Sequence, residues 1–277
     1  LVLTGTPIEN SLSDLWSQMN FLNKGMLGNL AFFKRVFITP IEKYQNQEQQ
    51  EKLQLMIRPF ILRRTKVEVA KDLPPMMEQV IYCDMAVNQQ KMYEHEKSVI
   101  RNSILSGIEN EGIKKAGFII LQGITKLRQL ANHPSLVGKG NGENSGKLDE
   151  IFRMLENLVA ENHKVLIFSS FVKHLELIQQ KIEENHWKFG KLVGQTAKRE
   201  NVIRQFQEDP ENRIFLISLK AGGVGLNLTA ADYVFMLDPW WNPAAELQAL
   251  SRAHRIGQNK NVFVYRFISD GSIEEKI

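Results

Sequence analysis

Cysteine and long apolar runs are nearly absent from this sequence. Cys83 is the single cysteine among 277 residues, which excludes an internal disulfide and a cysteine-rich zinc site and favours a reducing environment. No apolar run approaches the length of a membrane span, so we expect no membrane partner. The net charge of +4 permits nucleic-acid binding without arguing for it, because the clustering of charge matters more than its sum.

A phosphate-binding loop of the G-x-x-x-x-G-K-S/T kind is also absent. The nearest match is the dipeptide Gly146-Lys147, but Leu148 follows it and Asn141 occupies the position of the first glycine. We therefore interpret this segment as a linker. No Asp-Glu pair follows an apolar run, where it would hold Mg²⁺. The sequence thus lacks the parts that cradle and activate ATP.

A glycine-rich segment at residues 220–229 follows the apolar run at 214–217. Clustered glycines let backbone N–H groups approach a phosphate closely. A dinucleotide-binding fingerprint does not fit, because Leu228 stands where the third glycine should be and Asp238 comes too early for the acidic residue. A tight turn beside a core helix remains the alternative to a phosphate site.

Apolar runs alternate with amphipathic segments from residue 145 onward. The pattern predicts strands at 165–168, 191–193, 214–217, 233–237 and 262–267, and helices at 148–161, 172–184 and 199–207. This alternation is typical of an α/β fold, a parallel sheet with helices on both faces. Ligands of such sheets bind beyond the carboxyl ends of the strands.

The first half of the chain reads mainly as helices. We predict a buried strand at residues 1–3, a helix opened by a capping box at Ser11, short helices at 29–63, a strand at 77–83, and helices at 88–106 and 114–133. The Gly/Asn/Ser-rich stretch 138–146 is the best candidate for a domain boundary.

The stretch 248–258 (QALSRAHRIGQ) predicts a short helix that begins at Asn242-Pro243 and ends at Gly257. On such a helix Gln248, Arg252 and Arg255 would lie within roughly 60° of one another. Two guanidiniums and an amide aimed in one direction suit a polyphosphate. The alternative is a solvated, charged helix face.

Several segments, taken in order, resemble the Swi/Snf-type family of helicase-like, ATP-driven DNA translocases within helicase superfamily two. They are 4–10 (TGTPIEN, similar to motif III), 62–66 (LRRTK) and 127–134 (LRQLANHP, both from the inter-lobe region), 165–170 (VLIFSS, motif IV), 219–229 (LKAGGVGLNLT, motif V), 238–243 (DPWWNP), 248–258 (motif VI) and 272–277 (SIEEKI). The resemblance covers nearly the whole chain. Where family members often carry Asp before the first motif VI arginine, this chain has Ser251.

The resemblance implies the second of two RecA-like lobes, preceded by an α-helical insertion region. Residues 1–10 would end the first lobe, residues 11–144 would form the helical insertion and inter-lobe linker, and residues 145–277 would form the second lobe. Both ends of the chain then look cut. A first lobe would hold most of the ATP and Mg²⁺, so we expect this chain alone to be inactive in ATP hydrolysis.

The resemblance also implies roles for individual residues. Arg252 and Arg255 would act as arginine fingers on the γ-phosphate of ATP, with Gln248, Gly223 and Gly225 also lining the nucleotide cleft. Contacts to the backbone of double-stranded DNA would come from Thr4, Gly5, Thr6, Ser169, Ser170, Lys220, Thr229 and Trp241. A translocase must ignore base sequence, so backbone contacts suit it.

Two tryptophans and two histidines lie within or beside these motifs. Trp241 is either a wedge against the duplex or a side chain packed under the motif VI helix, whereas Trp240 is predicted to be core. His133 and His254 lack a metal-ligand partner at suitable spacing, so we assign both to structural hydrogen bonding.

The basic cluster of Arg63, Arg64 and Lys66 is either a solvated face or a phosphate contact.

Two other functions stay open. The chain could be a non-catalytic interaction module, with its helical region as a docking platform, or part of an RNA helicase of the same superfamily. The partners expected of a translocase are duplex DNA, the first lobe and a nucleoprotein target. We expect a cytoplasmic, nucleoid-associated protein if the source is prokaryotic, which the compact insertions favour, and a nuclear protein if it is eukaryotic.

Overall fold

The computed structural model describes residues 1–4, 8, 11–111, 113–138, 144–221 and 226–277. Contacts between residues divide the chain into two compact units, Leu1–Asp72 and Leu73–Ile277. The functional subdivision at residues 10 and 144 stays a prediction, since it rests on motif roles rather than on contacts.

Short helices make up most of the first unit. In chain order they are α1 (Leu12–Leu22), α2 (Leu30–Phe33), a π-helix (Lys34–Lys43), α3 (Gln47–Ile57), a 3-10 turn (Arg58–Phe60) and α4 (Lys66–Val69). As predicted, Ser11 opens α1 with a capping box, in which Asp14 accepts the Ser11 N–H at 3.2 Å. The apolar faces of α1, α2, the π-helix and α3 pack into one core.

The predicted strand at residues 1–3 is wrong. No strand occurs there, and Leu1 and Leu3 are 100% and 87% exposed. Strand backbone needs a neighbouring strand to satisfy its N–H and C=O groups, and the described part of this unit contains none.

The described part of the second unit holds one sheet of six parallel strands. They are β1 (Met76–Cys83), β2 (Val165–Ser169), β3 (Lys188–Leu192), β4 (Asn212–Ser218), β5 (Tyr233–Met236) and β6 (Val262–Ser269). Their order in the sheet is β1-β6-β5-β2-β4-β3. The central strands read as unbroken apolar runs because both of their faces are buried. The predicted parallel sheet is confirmed, and the strand expected at 77–83 lies at its edge.

Helices cover both faces of this sheet. The helices of the unit's described part are α5 (Val87–Glu111), α6 (Ile113–Asn132), α7 (Gly146–Ala160), α8 (Val172–Glu184), α9 (Arg199–Glu208) and α10 (Pro243–Leu250), of which α7 to α10 cover the sheet. On β2, Val165 and Ile167 pack with α7 and α8, while Leu166 and Phe168 pack with α9 and α10 on the opposite face. The alternation along one strand therefore supplies two separate cores.

The helix pair α5 and α6 forms a smaller core of its own around Tyr93, Leu127 and Leu130. After α6 ends at Asn132, a 3-10 turn (Pro134–Val137) leads to Gly138, whose φ is +71°. Residues 139–143 lie outside the described part of the chain. No helix among the described residues is both long and apolar enough to cross a membrane.

Candidate functional site at the carboxyl edge of the sheet

The loops after β2, β4 and β5 meet at one edge of the sheet, because parallel strands all end on the same side. The strand ends are tied together by backbone hydrogen bonds: Leu219 N–H donates to Ser169 O and Leu237 N–H to Phe168 O, both at 3.0 Å. These loops carry the polar and basic residues that the sequence singled out. The sheet therefore places motifs IV and V and the 238–243 loop side by side.

Asp238 organises the end of β2. Its carboxylate accepts the Ser169 hydroxyl at 2.5 Å, the Ser170 backbone N–H at 3.2 Å and the Ser170 hydroxyl. Ser169 is fully buried, whereas Ser170 is half-buried. Ser169 can therefore affect a bound ligand only indirectly, through Ser170 and Asp238.

Arg128 of α6 reaches the same carboxylate. Its side chain is 3% exposed, and its Nη2 lies 3.2 Å from Asp238 Oδ1, 3.1 Å from Ser170 Oγ and 2.6 Å from Pro239 O. Arg128 belongs to the segment LRQLANHP, but the sequence alone indicated no role for this residue. The sequence feature that could have indicated its role is that LRQLANHP contains one arginine and DPWWNP contains one aspartate, its possible partner.

Lys147 forms the second buried ion pair of this region. Its Nζ lies 2.5 Å from Glu274 Oε2, 3.0 Å from Leu237 O and 3.2 Å from Asn132 Oδ1, and both charged side chains are fully buried. Burial raises the pKa of the Glu274 carboxyl despite the neighbouring ammonium. Lys147 therefore joins α7 to α6 and to the 3-10 turn Ile273–Lys276.

The interpretation of Gly146-Lys147 as a linker is thus wrong. Both residues belong to the first turn of α7. A Cβ atom on Gly146 would lie 1.9 Å from the backbone oxygen of Asp84, so this position needs glycine for close packing.

The helix α10 begins as predicted. The Asn242 side chain caps it by accepting the Ala244 N–H at 3.0 Å, and Pro243 occupies the first turn. Glu246, in the first turn of α10, accepts the Trp240 N–H at 2.8 Å and pairs with Arg266. The 238–242 loop is therefore fastened to the helix that follows it.

The predicted extension of this helix to Gly257 is wrong, because α10 ends at Leu250. The Arg252 carbonyl accepts the Leu228 N–H at 3.0 Å, and the Gln258 side chain donates to Ala253 O at 3.2 Å. One distant and one nearby partner thus take carbonyls that a longer helix would use, and residues 251–257 form a series of turns. Gly257 still has a positive φ of +101°.

Arg252 and Arg255 therefore do not share a helix face with Gln248, yet the turns keep the two arginines close. Arg252 is half-buried, and both its burial and the neighbouring charge of Arg255 lower the pKa of its guanidinium. Arg255 is exposed and its Nη1 donates to Leu226 O at 3.4 Å. Ala253 packs in the core, whereas Ile256 is 80% exposed.

The remaining predicted site residues divide into three groups. Lys220 is exposed directly after β4, while Thr229 and Gln248 are half-buried. Thr4 is exposed but belongs to the first unit. Four further candidates, Gly5, Thr6, Gly223 and Gly225, lie outside the described residues. The basic cluster of Arg63, Arg64 and Lys66 is exposed in the first unit, and its contact with phosphate stays a prediction.

The structure shows the surroundings of the two tryptophans and the two histidines whose roles the sequence predicted. Trp240 packs partly buried against the core that includes Ala249 and Leu250, as predicted, whereas Trp241 is 49% exposed. His133 accepts the Ser135 N–H at 3.1 Å through Nδ1, and His254 Nε2 lies 2.8 Å from Pro74 O. Both histidines are thus hydrogen-bonding residues. No cluster of acidic, histidine or cysteine side chains able to hold a metal occurs in the described part of the chain.

Two family models match the chain. Residues 1–136 match the SNF2-related domain, and residues 146–257 match the helicase conserved C-terminal domain. Curated relatives include the putative ATP-dependent helicase/translocase YwqA of Bacillus subtilis, 37% identical over all of this chain and 31% of that protein. Nuclear protein STH1/NPS1 of Saccharomyces cerevisiae is 34% identical over all of this chain and 22% of its own length.

The chain belongs to the Swi/Snf-type family of helicase superfamily two. It spans about a third or less of the length of these relatives. Among solved structures, the Sulfolobus solfataricus SWI2/SNF2 ATPase core in complex with dsDNA is 40% identical, with a TM-score of 0.64 over 99% of this chain and 58% of that one. The C-terminal domain of the Sulfolobus ATPase is 34% identical, with a TM-score of 0.60 over 73% and 82%. The sheet described above is thus RecA-like, and the chain corresponds to the C-terminal region of the family.

Proposed function

We propose that this chain is the C-terminal half of a Swi/Snf-type, ATP-dependent translocase of double-stranded DNA. The observation that carries the proposal is the pair Arg252 and Arg255 on the turns after α10, beside Leu226 and Leu228 of the segment that follows the motif V glycines. Its relatives include proteins described as ATP-dependent helicases or translocases.

The arginine pair fits a polyphosphate for a physical reason. Two guanidiniums near enough to lower the pKa of one of them repel each other, and an anion between them relieves that repulsion. Arginine forks also match phosphate oxygens with two parallel hydrogen bonds. Arginine fingers contribute on the order of 10³–10⁵ in rate where they have been dissected, because they stabilise charge in the phosphoryl-transfer transition state.

The DNA side of the proposal uses the loops after β2, β4 and β5. Ser170, Lys220 and Trp241 all have exposed or half-exposed side chains there. A hydroxyl and an ammonium donate to phosphate oxygens without reading sequence, and an exposed indole can press against the duplex. The solved relative bound to dsDNA supports duplex DNA as the ligand.

Mg²⁺ and the phosphate loop are not assigned to this chain. The described residues offer no group of carboxylates that fits the cation, so no step is routed through it. In this proposal an upstream RecA-like lobe supplies those parts, and this chain alone hydrolyses no ATP. Its further partner would be a nucleoprotein target, at the nucleoid in a prokaryote or in the nucleus of a eukaryote.

The test compares this chain alone with a two-lobe form in which the upstream lobe precedes it. ATP hydrolysis is measured with no nucleic acid, with duplex DNA and with duplex RNA, and movement is measured by displacement of a third strand from DNA. We expect hydrolysis only in the two-lobe form, stimulated by DNA and coupled to displacement. Hydrolysis by the chain alone would contradict the half-site assignment. Stronger stimulation by RNA would favour an RNA helicase, and no hydrolysis in either form would favour an interaction module.

A further inference from the structure

Arg128 is enclosed by aromatic rings as well as by polar partners. Its guanidinium carbon lies 5.0 Å from the ring centre of Phe171, 5.5 Å from that of Trp240 and 5.7 Å from that of Trp241. A cation at these distances is attracted to the faces of the rings. The cage of Phe171, Trp240 and Trp241 is therefore held around one side chain of α6.

The polar partners of Arg128 come from two different loops. Ser170 follows β2, while Asp238 and Pro239 follow β5. These are the loops that carry the half-buried hydroxyl and the exposed indole of the proposed DNA surface. A single guanidinium thus contacts both the Ser170 hydroxyl and the ring of Trp241.

Stability alone gives a weak reason for a cation at this place. Arg128 Nε is buried and makes no hydrogen bond within the described protein, so the desolvation of this group is incompletely offset. Replacing a buried ion pair by apolar side chains of similar volume is often neutral or stabilising. Asp238 is already bonded to Ser169 and Ser170 without the arginine. Arg128 adds a second connection between these loops, in which one guanidinium contacts the Ser170 hydroxyl and the faces of the two tryptophans.

The loop held by Arg128 is also fastened on its other side. Glu246 of α10 accepts the Trp240 N–H, and α10 leads directly into the turns that carry Arg252. The loop that carries Trp241 is therefore held from α6 on one side and from α10 on the other.

We propose that Arg128 is a positioning residue that fixes Ser170 and Trp241 for contact with duplex DNA. This inference rests on the proposed function, since it assigns a role within that DNA surface. Arg128 itself does not touch the nucleic acid. It acts by holding two loops in one arrangement, so that less conformational freedom is lost when DNA binds.

The test uses the two-lobe protein with Arg128→Met, Arg128→Lys and the matched control Lys126→Met. Lys126 also lies on α6, and its ammonium pairs with Glu96 away from the cage. We expect Arg128→Met to raise the DNA concentration for half-maximal ATPase stimulation about tenfold, equivalent to roughly 1.4 kcal/mol. Arg128→Lys should recover part of this loss, because it keeps the cation but not the fork. Lys126→Met should leave this concentration unchanged.

A double-mutant cycle with Trp241→Ala separates positioning from general destabilisation. If Arg128 acts through Trp241, Arg128→Met should have little further effect on DNA affinity in the Trp241→Ala protein. Independent, multiplying effects would overturn the proposal, as would an equal loss of DNA-free and DNA-stimulated hydrolysis in Arg128→Met.

A second readout needs no enzymatic activity. Acrylamide quenching of Trp241 fluorescence, taken as the difference between each protein and its Trp241→Phe version, reports how firmly the indole is held. We expect greater quenching in Arg128→Met than in the unsubstituted protein, and unchanged quenching would refute the positioning role. If the unsubstituted protein showed no DNA stimulation, the proposed function would fail while this measurement still judged whether Arg128 holds Trp241.

Discussion

Buried polar side chains connect α6 and α7 to the loops at the carboxyl edge of the sheet. Arg128 and Lys147 each find a carboxylate, at Asp238 and Glu274. His174 of α8 lies among them fully buried, and neither ring nitrogen has a hydrogen-bond partner in the described protein. Burial, with the neighbouring charges of Lys147 and His133, lowers the pKa of His174 well below 6.5.

This depressed pKa predicts acid sensitivity. Below about pH 6.5 the unfolded chain binds a proton at His174 that the folded chain does not bind, so the free energy of unfolding falls as pH falls. The slope from this group is at most about 1.4 kcal/mol per pH unit, and it vanishes above the unfolded pKa. Burial also lowers the pKa of His133, which adds in the same direction.

The measurement is chemical denaturation of the chain and of its His174→Leu variant between about pH 5 and pH 8. We expect the stability of the unsubstituted chain to decline relative to the variant as pH falls below about 6.5. A difference in stability that stays constant over this range would show that His174 does not titrate as its burial predicts.

Single residues were the least predictable part of the site. The sequence identified Ser170, Lys220 and the arginines of motif VI as candidates, because their types match the chemistry of phosphate. It gave no role to Arg128 and assigned Lys147 to a linker. Both form ion pairs across more than a hundred residues of sequence, at separations of 110 and 127 positions, which local patterns do not reveal.

Among the secondary-structure elements, α10 links the DNA side of the proposed site to its nucleotide side. It begins where the 238–242 loop ends, and its last residue precedes the turns that carry Arg252. Asn242 determines this start, since its side chain accepts the Ala244 N–H. If the first turn of α10 frayed, the hydrogen bond from the Trp240 N–H to Glu246 would also weaken.

Removing this N-cap should therefore lower the stability of the chain by a measurable amount. Asn242→Ala is expected to lower the free energy of unfolding by about 1 kcal/mol, the usual cost of losing an N-cap side chain. Asn242→Asp keeps an acceptor at the same place and serves as the control. Equilibrium denaturation with urea measures both, and equal losses in the two variants would argue against the capping role.

Strands were easier to predict than the end of α10. Apolar runs such as 165–168 and 214–217 lie in buried parallel strands, so composition alone located them. The stop of α10 at Leu250 depends on Leu228 and Gln258, which take backbone carbonyls of the following residues. The bond from the distant Leu228 leaves no local pattern, and the helix-forming residues 251–256 predicted a longer helix.

At the scale of the whole molecule, the second unit contains one RecA-like sheet whose carboxyl edge carries the proposed DNA surface, and α10 leads from that edge to the turns with Arg252 and Arg255. Motif order along the chain predicted this arrangement, because parallel strands bring successive loops to the same edge. The strand β1 is part of the sheet although residues 84–164 separate it from β2. Its membership could not be read from neighbouring sequence, since its partner β6 lies near the end of the chain.

The central claim is that Arg252 and Arg255 act on ATP bound by an upstream lobe. The most direct test is the maximal DNA-stimulated ATPase rate of the two-lobe protein carrying Arg252→Ala and Arg255→Ala together. The control is Arg153→Ala, since Arg153 is an exposed arginine of α7, on the opposite face of the sheet from α10. We predict a loss on the order of 10³ or more in the double variant, as for other arginine fingers, and no loss in the control. A double variant that hydrolyses ATP at the unsubstituted rate would contradict the account.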